Sequence, residues 1–324
     1  MTRLEIPGFF DIQVNGFGGI DFNAADLTID GLHAALARMR ATGVTRCLPT
    51  LITSPFDQFA RCARTLARSS EPAIAGIHME GPYVSREDGP RGAHQREHVI
   101  PASIDDFERR QEAASGRIVL VTLAPEVPGA MSLIEHLADT HVRVAIGHTA
   151  ATPQQIADAI AAGATLATHV GNGCAQMLPR HPNVIWELLA ADALFASLIV
   201  DGHHLPPTTV KSMVRAKGVE RTILVTDAVA AAGCAPGGYT IGGVSCELDD
   251  DGRVSLPGTA HLAGSALTMD RAVANTVRFT TLPIKTVIPM ASTLPATYLG
   301  TTTAGTVTAD WDEERRTLEI RRVQ

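Results

Sequence analysis

Carboxylate and imidazole side chains end four short apolar runs of this sequence, and together they could hold a divalent metal ion. Glu80, His148 and His169 each follow such a run, and Asp227 follows another. Two imidazoles and one carboxylate are typical ligands of a catalytic Zn²⁺, with water in the open position. Such an ion activates water and polarises carbonyl groups, and a neighbouring carboxylate such as Asp227 can carry the proton. The four residues therefore predict metal-assisted hydrolysis.

Each of these residues also has a plainer interpretation. A single histidine at a strand end is more often a hydrogen-bonded structural residue than a metal ligand, and Asp227 could instead cap a helix in the alanine-rich segment after it. The metal site is favoured because four such residues, each present for its own structural reason, would rarely all meet at the same edge of a fold.

The elements that must position these residues are eight apolar runs separated by segments with helical periodicity. The predicted strands are Phe9 to Val14, Thr45 to Ile52, Ala73 to Met79, Arg117 to Leu123, Arg143 to Ile146, Leu166 to His169, Phe195 to Val200 and Arg221 to Thr226. Continuously apolar runs are typical of parallel strands buried on both faces. The pattern predicts an α/β fold, a (β/α)8 TIM-like barrel, in which residues after the strands share the C-terminal mouth.

An open doubly wound sheet is the alternative fold. The glycine-rich turn Asn15-Gly16-Phe17-Gly18-Gly19 lacks the GxGxxG spacing that binds a pyrophosphate, so the barrel is favoured. Ser54-Pro55 and Thr152-Pro153 each predict a helix that begins with an N-cap hydroxyl before a proline. Thr152 with Gln155 also predicts a capping box.

The domain organisation expected from these patterns is one barrel over residues 1–304 and a β tail over residues 305–324. Within the barrel, Gly237 to Gly264 departs from the βα pattern. Its segments Val244 to Leu248 and Arg253 to Leu256 flank a turn of three aspartates and a glycine, which predicts a β-hairpin insertion. Thr317 to Val323 predicts a last strand in the tail.

Composition excludes several classes of function. The chain has 27 Lys and Arg against 34 Asp and Glu, a net charge of −7, and no basic run for nucleic acid or a membrane surface. No apolar stretch reaches the roughly 18 residues of a membrane span, and the first residues lack the apolar segment of a secretion signal. The five cysteines are widely spaced and predict reduced thiols. We therefore expect a cytoplasmic protein that acts on a small molecule.

Seven strings around these residues occur in the order seen in a known enzyme family. They are Pro7-Gly8-Phe9-Phe10-Asp11-Ile12-Gln13-Val14-Asn15-Gly16, His78-Met79-Glu80-Gly81-Pro82, Gly147-His148-Thr149, Ala167-Thr168-His169, Asp201-Gly202-His203-His204, Val225-Thr226-Asp227-Ala228 and Leu262-Ala263-Gly264-Ser265-Ala266-Leu267-Thr268-Met269. On these strings the sequence resembles the N-acetylglucosamine-6-phosphate deacetylase family of the metal-dependent amidohydrolase superfamily. The resemblance implies Glu80, His148 and His169 as metal ligands and Asp227 as the catalytic carboxylate.

The resemblance also implies a substrate group and a metal count. In the family a histidine of the Gly-Ala-His stretch, here His94, helps to polarise the acetamide carbonyl, although a loop histidine can also be merely solvated. Many amidohydrolases have His-x-His after the first strand for a second metal, whereas this chain has Gln13-x-Asn15. We expect one divalent ion per chain, Zn²⁺ or alternatively Fe²⁺ or a similar ion.

For the sugar phosphate, the resemblance implies Asn172, Gly173, Arg180 and His204, with help from a neighbouring subunit in a homodimer. This chain departs from the family where it has Cys174 in place of methionine and His181-Pro182-Asn183 after Arg180. Relatives usually begin with about fifty residues that join the C-terminus in a small β-sandwich. We therefore expect this sandwich to be missing or reduced to the insertion hairpin and the last strand.

Three functions follow as hypotheses. The first is a metal-dependent hydrolase that removes the N-acetyl group of an amino sugar, N-acetylglucosamine 6-phosphate above all, and releases acetate. The second keeps the metal chemistry and acts on a different N-acyl or unphosphorylated substrate, because fold and metal do not determine the substrate. The third is a non-catalytic sugar-phosphate binding protein, against which the complete set of Glu80, His148, His169 and Asp227 argues.

Overall fold

The chain forms 16 β-strands and ten α-helices, and the computed structural model describes residues 1–324. The strands are β1 (Thr2–Pro7), β2 (Phe9–Val14), β3 (Gly16–Phe17), β4 (Ile20–Asp21), β5 (Val44–Ile52), β6 (Ile77–Glu80), β7 (Ile118–Leu123), β8 (Arg143–Ile146), β9 (Ala164–Ala167), β10 (Phe195–Ile199), β11 (Thr222–Val225), β12 (Gly237–Ile241), β13 (Val244–Leu248), β14 (Val254–Ser255), β15 (Thr306–Asp312) and β16 (Thr317–Val323). The helices are α1 (Ile29–Ala41), α2 (Phe56–Arg68), α3 (Ile104–Ala113), α4 (Ala130–Asp139), α5 (Pro153–Ala162), α6 (Val184–Ala190), α7 (Pro207–Lys217), α8 (Met269–Thr280), α9 (Ile284–Val287) and α10 (Thr293–Tyr298).

Eight strands form one parallel sheet in the order β2, β5, β6, β7, β8, β9, β10, β11. The two outer strands of this order approach each other just beyond their ends. The amide of Asp227 donates to the carbonyl of Gln13 at 2.9 Å, and the amide of Asn15 donates to the carbonyl of Ala228 at 2.7 Å. The sheet is thus a nearly closed barrel, and the predicted (β/α)8 fold is confirmed.

The barrel strands lie where the apolar runs predicted them. All six residues of β2 are buried, and the bounds of β2 and β8 agree with the prediction. The main difference is in β6, which begins at Ile77 rather than Ala73, because only an isolated bridge between Ile74 and Cys47 joins the preceding residues to β5.

The two predicted helix starts have different outcomes. The hydroxyl of Thr152 accepts a hydrogen bond from the amide of Gln155, and the complete capping box is present at the start of α5. The prediction for Ser54 is wrong, because Pro55 itself is the N-cap of α2 and no side chain caps that helix. No helix begins directly after Asp227, where the next element is the strand β12, so this aspartate is not a helix cap.

Two small three-stranded antiparallel sheets lie outside the barrel, besides the two-stranded pair of β3 and β4. One joins both ends of the chain in the order β1, β15, β16, with Thr2 opposite Trp311. The other consists of β12, β13 and β14, so the predicted hairpin is present and has an additional strand. The insertion hairpin and the last strand belong to different sheets. The hairpin sheet packs in a separate cluster with Ile52, whereas Trp311 packs in the main core.

No helix of the chain combines the length and the apolar character needed to cross a membrane. All five cysteines are free, as predicted.

Candidate active site

The ends of four barrel strands bring the predicted residues to the mouth of the barrel. Glu80 is the last residue of β6, whereas His148, His169 and Asp227 each lie two residues beyond a strand. These three residues have positive φ angles of 51°, 31° and 48°, a backbone conformation that is uncommon for residues with a Cβ. Such strain is typical of functional positions, where the surrounding structure holds the side chain in place.

Glu80, His148 and His169 converge on one point. Glu80 Oε1 lies 3.0 Å from Nε2 of His169 and 3.2 Å from Nε2 of His148. The two Nε2 atoms are themselves 3.2 Å apart, and all three side chains are buried. The other ring nitrogen of His148 donates to the carbonyl of Pro90 at 3.0 Å, which leaves the lone pair of its Nε2 directed at the cluster.

The electrostatics of this cluster suit a bound cation. Burial disfavours the charge of Glu80, but the hydrogen bonds and charges of His148 and His169 outweigh burial and hold its pKa well below the usual range. Burial likewise opposes a charge on His169, but the hydrogen bond that His169 donates to Glu80, together with the charge of Glu80, outweighs burial and raises the pKa of His169. A positive charge between these groups is therefore favoured. Two imidazoles and a carboxylate fit a divalent cation, which would replace the proton.

Asp227 lies beside this cluster and is held by two amides. Its Oδ1 accepts hydrogen bonds from Asn15 Nδ2 at 2.7 Å and from Gln13 Nε2 at 3.3 Å. The same Gln13 amide donates to Glu80 Oε1 at 2.9 Å, so it lies between the two carboxylates. Burial, reinforced by the charge of Glu80, raises the pKa of Asp227 to about 6. A carboxylate with a pKa near neutrality can both accept and return a proton.

His94 is buried against the ring of His148, with the ring centroids 4.2 Å apart. Its Nδ1 lies 2.7 Å from the hydroxyl of Thr53. Burial, followed by the charge of His148, lowers the pKa of His94 to about 3. His94 is therefore neutral near pH 7 and is placed beside the metal-ligand cluster.

A cavity of about 720 Å³ opens above these groups at the barrel mouth. The lining includes the four strand-end residues, His94 and three of the residues expected at the sugar phosphate, namely Asn172, Gly173 and His204. Gly173 lies so close to His148 that a Cβ on it would be 2.8 Å from Nδ1 of that ring. Arg180 is exposed and does not line the cavity of its own chain.

His204 is oriented by a neighbouring carboxylate. Its Nδ1 lies 2.6 Å from Asp201 Oδ2, and both side chains are nearly buried, with 7% and 8% exposed. The other oxygen, Asp201 Oδ1, accepts from the backbone amides of His203 and His204. Because Nδ1 faces Asp201, Nε2 is the ring nitrogen of His204 that is directed away from Asp201.

Arg91 and Thr53 also lie at this site, although the sequence motifs did not predict them. Arg91 lines the cavity, and Thr53 contacts His94. The position of Arg91, directly before Gly92-Ala93-His94, was the signal that could have indicated it. Nothing local in the sequence connects Thr53 with His94, since 41 residues separate them.

Comparison with known proteins agrees with this geometry. The model of the amidohydrolase family matches residues 5–312. A structure of an N-acetyl-D-glucosamine-6-phosphate deacetylase variant from Mycobacterium smegmatis, in complex with N-acetyl-D-glucosamine-6-phosphate, superposes with a TM-score of 0.91 at 32% identity. The match covers 99% of this chain and 86% of that one. Fold and site are those of a metal-dependent amidohydrolase.

Curated relatives narrow this class further. The N-acetylglucosamine-6-phosphate deacetylase of Lysinibacillus sphaericus is 33% identical over 317 residues, which cover 96% of this chain and 80% of that protein. The N-acetylgalactosamine-6-phosphate deacetylase of Escherichia coli O157:H7 is 34% identical over 305 residues, with coverages of 92% and 79%. The chain belongs to the N-acetylglucosamine-6-phosphate deacetylase family of amidohydrolases.

Proposed function

We propose that this enzyme hydrolyses the N-acetyl group of an amino-sugar 6-phosphate, N-acetylglucosamine 6-phosphate in the first place, to acetate and the amino sugar. The observation that carries the proposal is the convergence of Glu80, His148 and His169 beside Asp227 in one cavity. Relatives named for this reaction support the choice of substrate.

In this proposal Glu80, His148 and His169 hold one divalent cation. Zn²⁺ is our first choice because two imidazoles and a carboxylate are usual zinc ligands, and Fe²⁺ is the alternative. When bound, the ion supplies a Lewis acid that activates water and polarises the amide carbonyl. Gln13 and Asn15 supply amide donors to Glu80 and Asp227, and neither offers an imidazole for a second ion.

Asp227 is assigned the proton transfers. As a carboxylate it takes the proton from the water that attacks the acetyl carbonyl, and it then gives this proton to the leaving nitrogen. The amino group therefore leaves as a neutral amine rather than as an unstable anion. The hydrogen bonds from Asn15 and Gln13 hold the Asp227 carboxylate in place throughout.

His94 is assigned the carbonyl oxygen. Because its pKa is low, His94 is a neutral imidazole. With Nδ1 accepting from Thr53, the proton lies on Nε2, which can donate to the oxygen that becomes negative in the transition state. A neutral donor does not compete for the proton that Asp227 carries.

Asn172, Gly173 and His204 are assigned to the sugar phosphate, since all three line the cavity. We propose that Arg180 reaches the cavity of a neighbouring subunit in a homodimer. Its exposure in its own chain supports this, as do Met177 and Trp186 nearby, which are 89% and 53% exposed. Exposed apolar residues beside a charged group are common at subunit interfaces.

Two broader assignments belong to the same proposal. The enzyme works in the cytoplasm, and its five free cysteines fit a reducing compartment. Residues 1–304 form the barrel domain with its insertion near 237–264, and residues 305–324 form a β tail.

The experiment that tests the proposal is acetate release by the metal-analysed protein. The substrates are N-acetylglucosamine 6-phosphate, N-acetylgalactosamine 6-phosphate and the two unphosphorylated sugars. Release from the phosphorylated sugars, with about one metal per chain, is the expected result. Release from the unphosphorylated sugars alone would favour the second hypothesis of the sequence analysis. Sugar-phosphate binding without acetate release would favour the third.

The variant Arg180→Ala tests recognition of the phosphate separately from recognition of the rest of the substrate. If Arg180 binds phosphate, the variant raises KM for the phosphorylated sugars and leaves that for the unphosphorylated sugars near the wild-type value. Sedimentation of the same protein tests the homodimer. An unchanged KM for every substrate would exclude Arg180 from the site.

A further inference from the structure

Arg91 is the only arginine or lysine among the 24 residues that line the cavity. We propose that Arg91 binds the anionic group of the substrate, within the chain that performs the hydrolysis. The inference rests on the proposed function for its substrate, a sugar phosphate. It adds a binding residue that neither the sequence motifs nor the similarity to relatives identified.

The loop that carries Arg91 is packed directly on the metal-ligand cluster. The carbonyl of Pro90 accepts the hydrogen bond of His148 Nδ1 at 3.0 Å. A Cβ built on Gly92 would lie 3.1 Å from Cε1 of the same ring, and His94 packs on its face. Arg91 thus stands between residues that touch His148. Its backbone cannot move far without disturbing a cluster residue.

The guanidinium of Arg91 is held, but its donors are only partly used. Nη1 donates to the carbonyl of His94 at 2.7 Å, and Nη2 donates to the carboxylate of Asp88. Nε is buried and has no hydrogen-bond partner. A guanidinium has five N–H donors in a planar fork, so three of them have no partner within the chain, one each on Nε, Nη1 and Nη2. The free N–H groups on Nη1 and Nη2 are the donors that would meet a ligand oxygen.

The contact with Asp88 shows that the guanidinium of Arg91 binds an anionic oxygen group. Its side chain is 80% exposed, whereas that of Arg91 is only 20% exposed. The hydrogen bond from Arg91 holds the pKa of Asp88 below its usual range, so the carboxylate carries a negative charge. An exposed carboxylate gives up such a contact at little cost. A phosphate offers more oxygens and more charge, and the planar guanidinium matches its geometry.

Arg91 is the one permanently cationic side chain of the lining, whose carboxylates are Glu80, Asp227 and the Asp88 that pairs with Arg91 itself. Glu80 and Asp227 are used by the metal chemistry, and His94 is neutral. His204 faces Asp201, which offsets a charge on its ring. Arg91 is thus the permanent positive charge that the chain itself presents to an anionic substrate in its own cavity.

The test compares kcat/KM for N-acetylglucosamine 6-phosphate with kcat/KM for N-acetylglucosamine in the metal-loaded protein. Arg91→Ala should lower this ratio about 10- to 100-fold, the effect of one lost charge-assisted hydrogen bond. The ratio cancels any general damage to the His94 loop. Arg91→Lys should recover part of it because the charge remains. Arg96→Ala, an exposed arginine outside the cavity, is the control and should leave the ratio unchanged.

The variant Asp88→Asn tests the same site independently and should change the kcat/KM ratio in the opposite direction. Removal of the competing charge should raise the same ratio by up to about fivefold. An unaltered ratio in both Arg91→Ala and Asp88→Asn would overturn the proposal, even if the wild-type protein releases acetate as expected.

Calorimetric titration with glucosamine 6-phosphate keeps the inference separate from the proposed function. If the wild-type protein releases no acetate, the proposed reaction fails, yet Arg91 is still tested by the Kd for this probe. A Kd raised about 10- to 100-fold in Arg91→Ala, with no change in Arg96→Ala, supports the site. Equal Kd values in the wild type and Arg91→Ala, or no binding by the wild type, would overturn it.

Discussion

Asn15 donates the shorter of the two side-chain hydrogen bonds that hold Asp227. Its Nδ2 donates to Asp227 Oδ1 at 2.7 Å, while its own Oδ1 is buried without a partner. Burial and the charge of Glu80 raise the pKa of Asp227, whereas the charges of His169 and His204 and the hydrogen bond from Asn15 lower it. Asn15→Leu, which nearly conserves the shape of the side chain, removes the donor and leaves no unpaired polar atom at residue 15.

The size of the effect follows from this single contact. A hydrogen bond to a charged group contributes about 1.5–3 kcal/mol, which corresponds to about one to two pH units. From a starting pKa of about 6, the pKa of Asp227 in Asn15→Leu should rise to about 7 to 8. Asp227 acts as a carboxylate, so a higher pKa moves the acidic limb of the pH profile to higher pH. At pH 7 its ionised fraction should fall about two- to tenfold.

The assay is the pH dependence of kcat/KM for acetate release. Activity of Asn15→Leu should be reduced near pH 7 and should recover near pH 9, with the acidic limb displaced by about one to two pH units. Asn275→Leu is the matched control, because this buried amide donates to the carbonyl of Val200 at 2.8 Å and does not contact Asp227. An acidic limb in the wild-type position for Asn15→Leu would refute the reasoning.

Four further predictions concern catalysis, binding and stability. Asp227→Asn should lower kcat about 10²- to 10⁴-fold with unchanged metal content by elemental analysis, and retained turnover would remove Asp227 from the mechanism. Asp201→Asn should raise KM for the phosphorylated sugar about tenfold and change kcat little, because His204 loses its charged partner at 2.6 Å; steady-state kinetics would show this. Burial raises the pKa of Asp11 to about 7. The folded state therefore binds more protons than the unfolded state between about pH 4 and 7, so this group lowers the free energy of unfolding by up to about 4 kcal/mol as pH rises through that window. Denaturant titrations should show a weaker pH dependence in Asp11→Asn. Removal of the metal by a chelator should abolish activity and lower Tm, since a ligand of the folded state stabilises it, and added Zn²⁺ should restore both.

The barrel could be predicted from the sequence because its determinants are local. A parallel strand buried on both faces must be apolar at every position, as Phe9–Val14 is, and strand and helix segments then alternate along the chain. The strands β1 and β15 were not identified. Thr2–Pro7 is partly exposed and pairs with a strand about 300 residues away, so its partner has no trace in the neighbouring sequence.

The candidate metal ligands were also accessible to prediction. Glu80, His148 and His169 occupy strand ends, and strand ends of a barrel share one mouth. Their chemistry and their common location thus follow from residue type and position alone. The sequence did not determine the distances near 3 Å between them, nor the carbonyl of Pro90 behind His148.

Only the tertiary structure shows that Arg91 is the arginine that lines the cavity of its own chain. Motif similarity pointed to Arg180, whereas the structure lines the cavity with Arg91 and leaves Arg180 exposed. Residue type, apolar periodicity and strand-end position are properties of neighbouring residues, and the sequence determines them by itself. The path of a loop over the barrel mouth depends on packing against distant residues, as that of Pro90 and Gly92 against His148 shows, so only the folded chain decides which arginine lines the cavity.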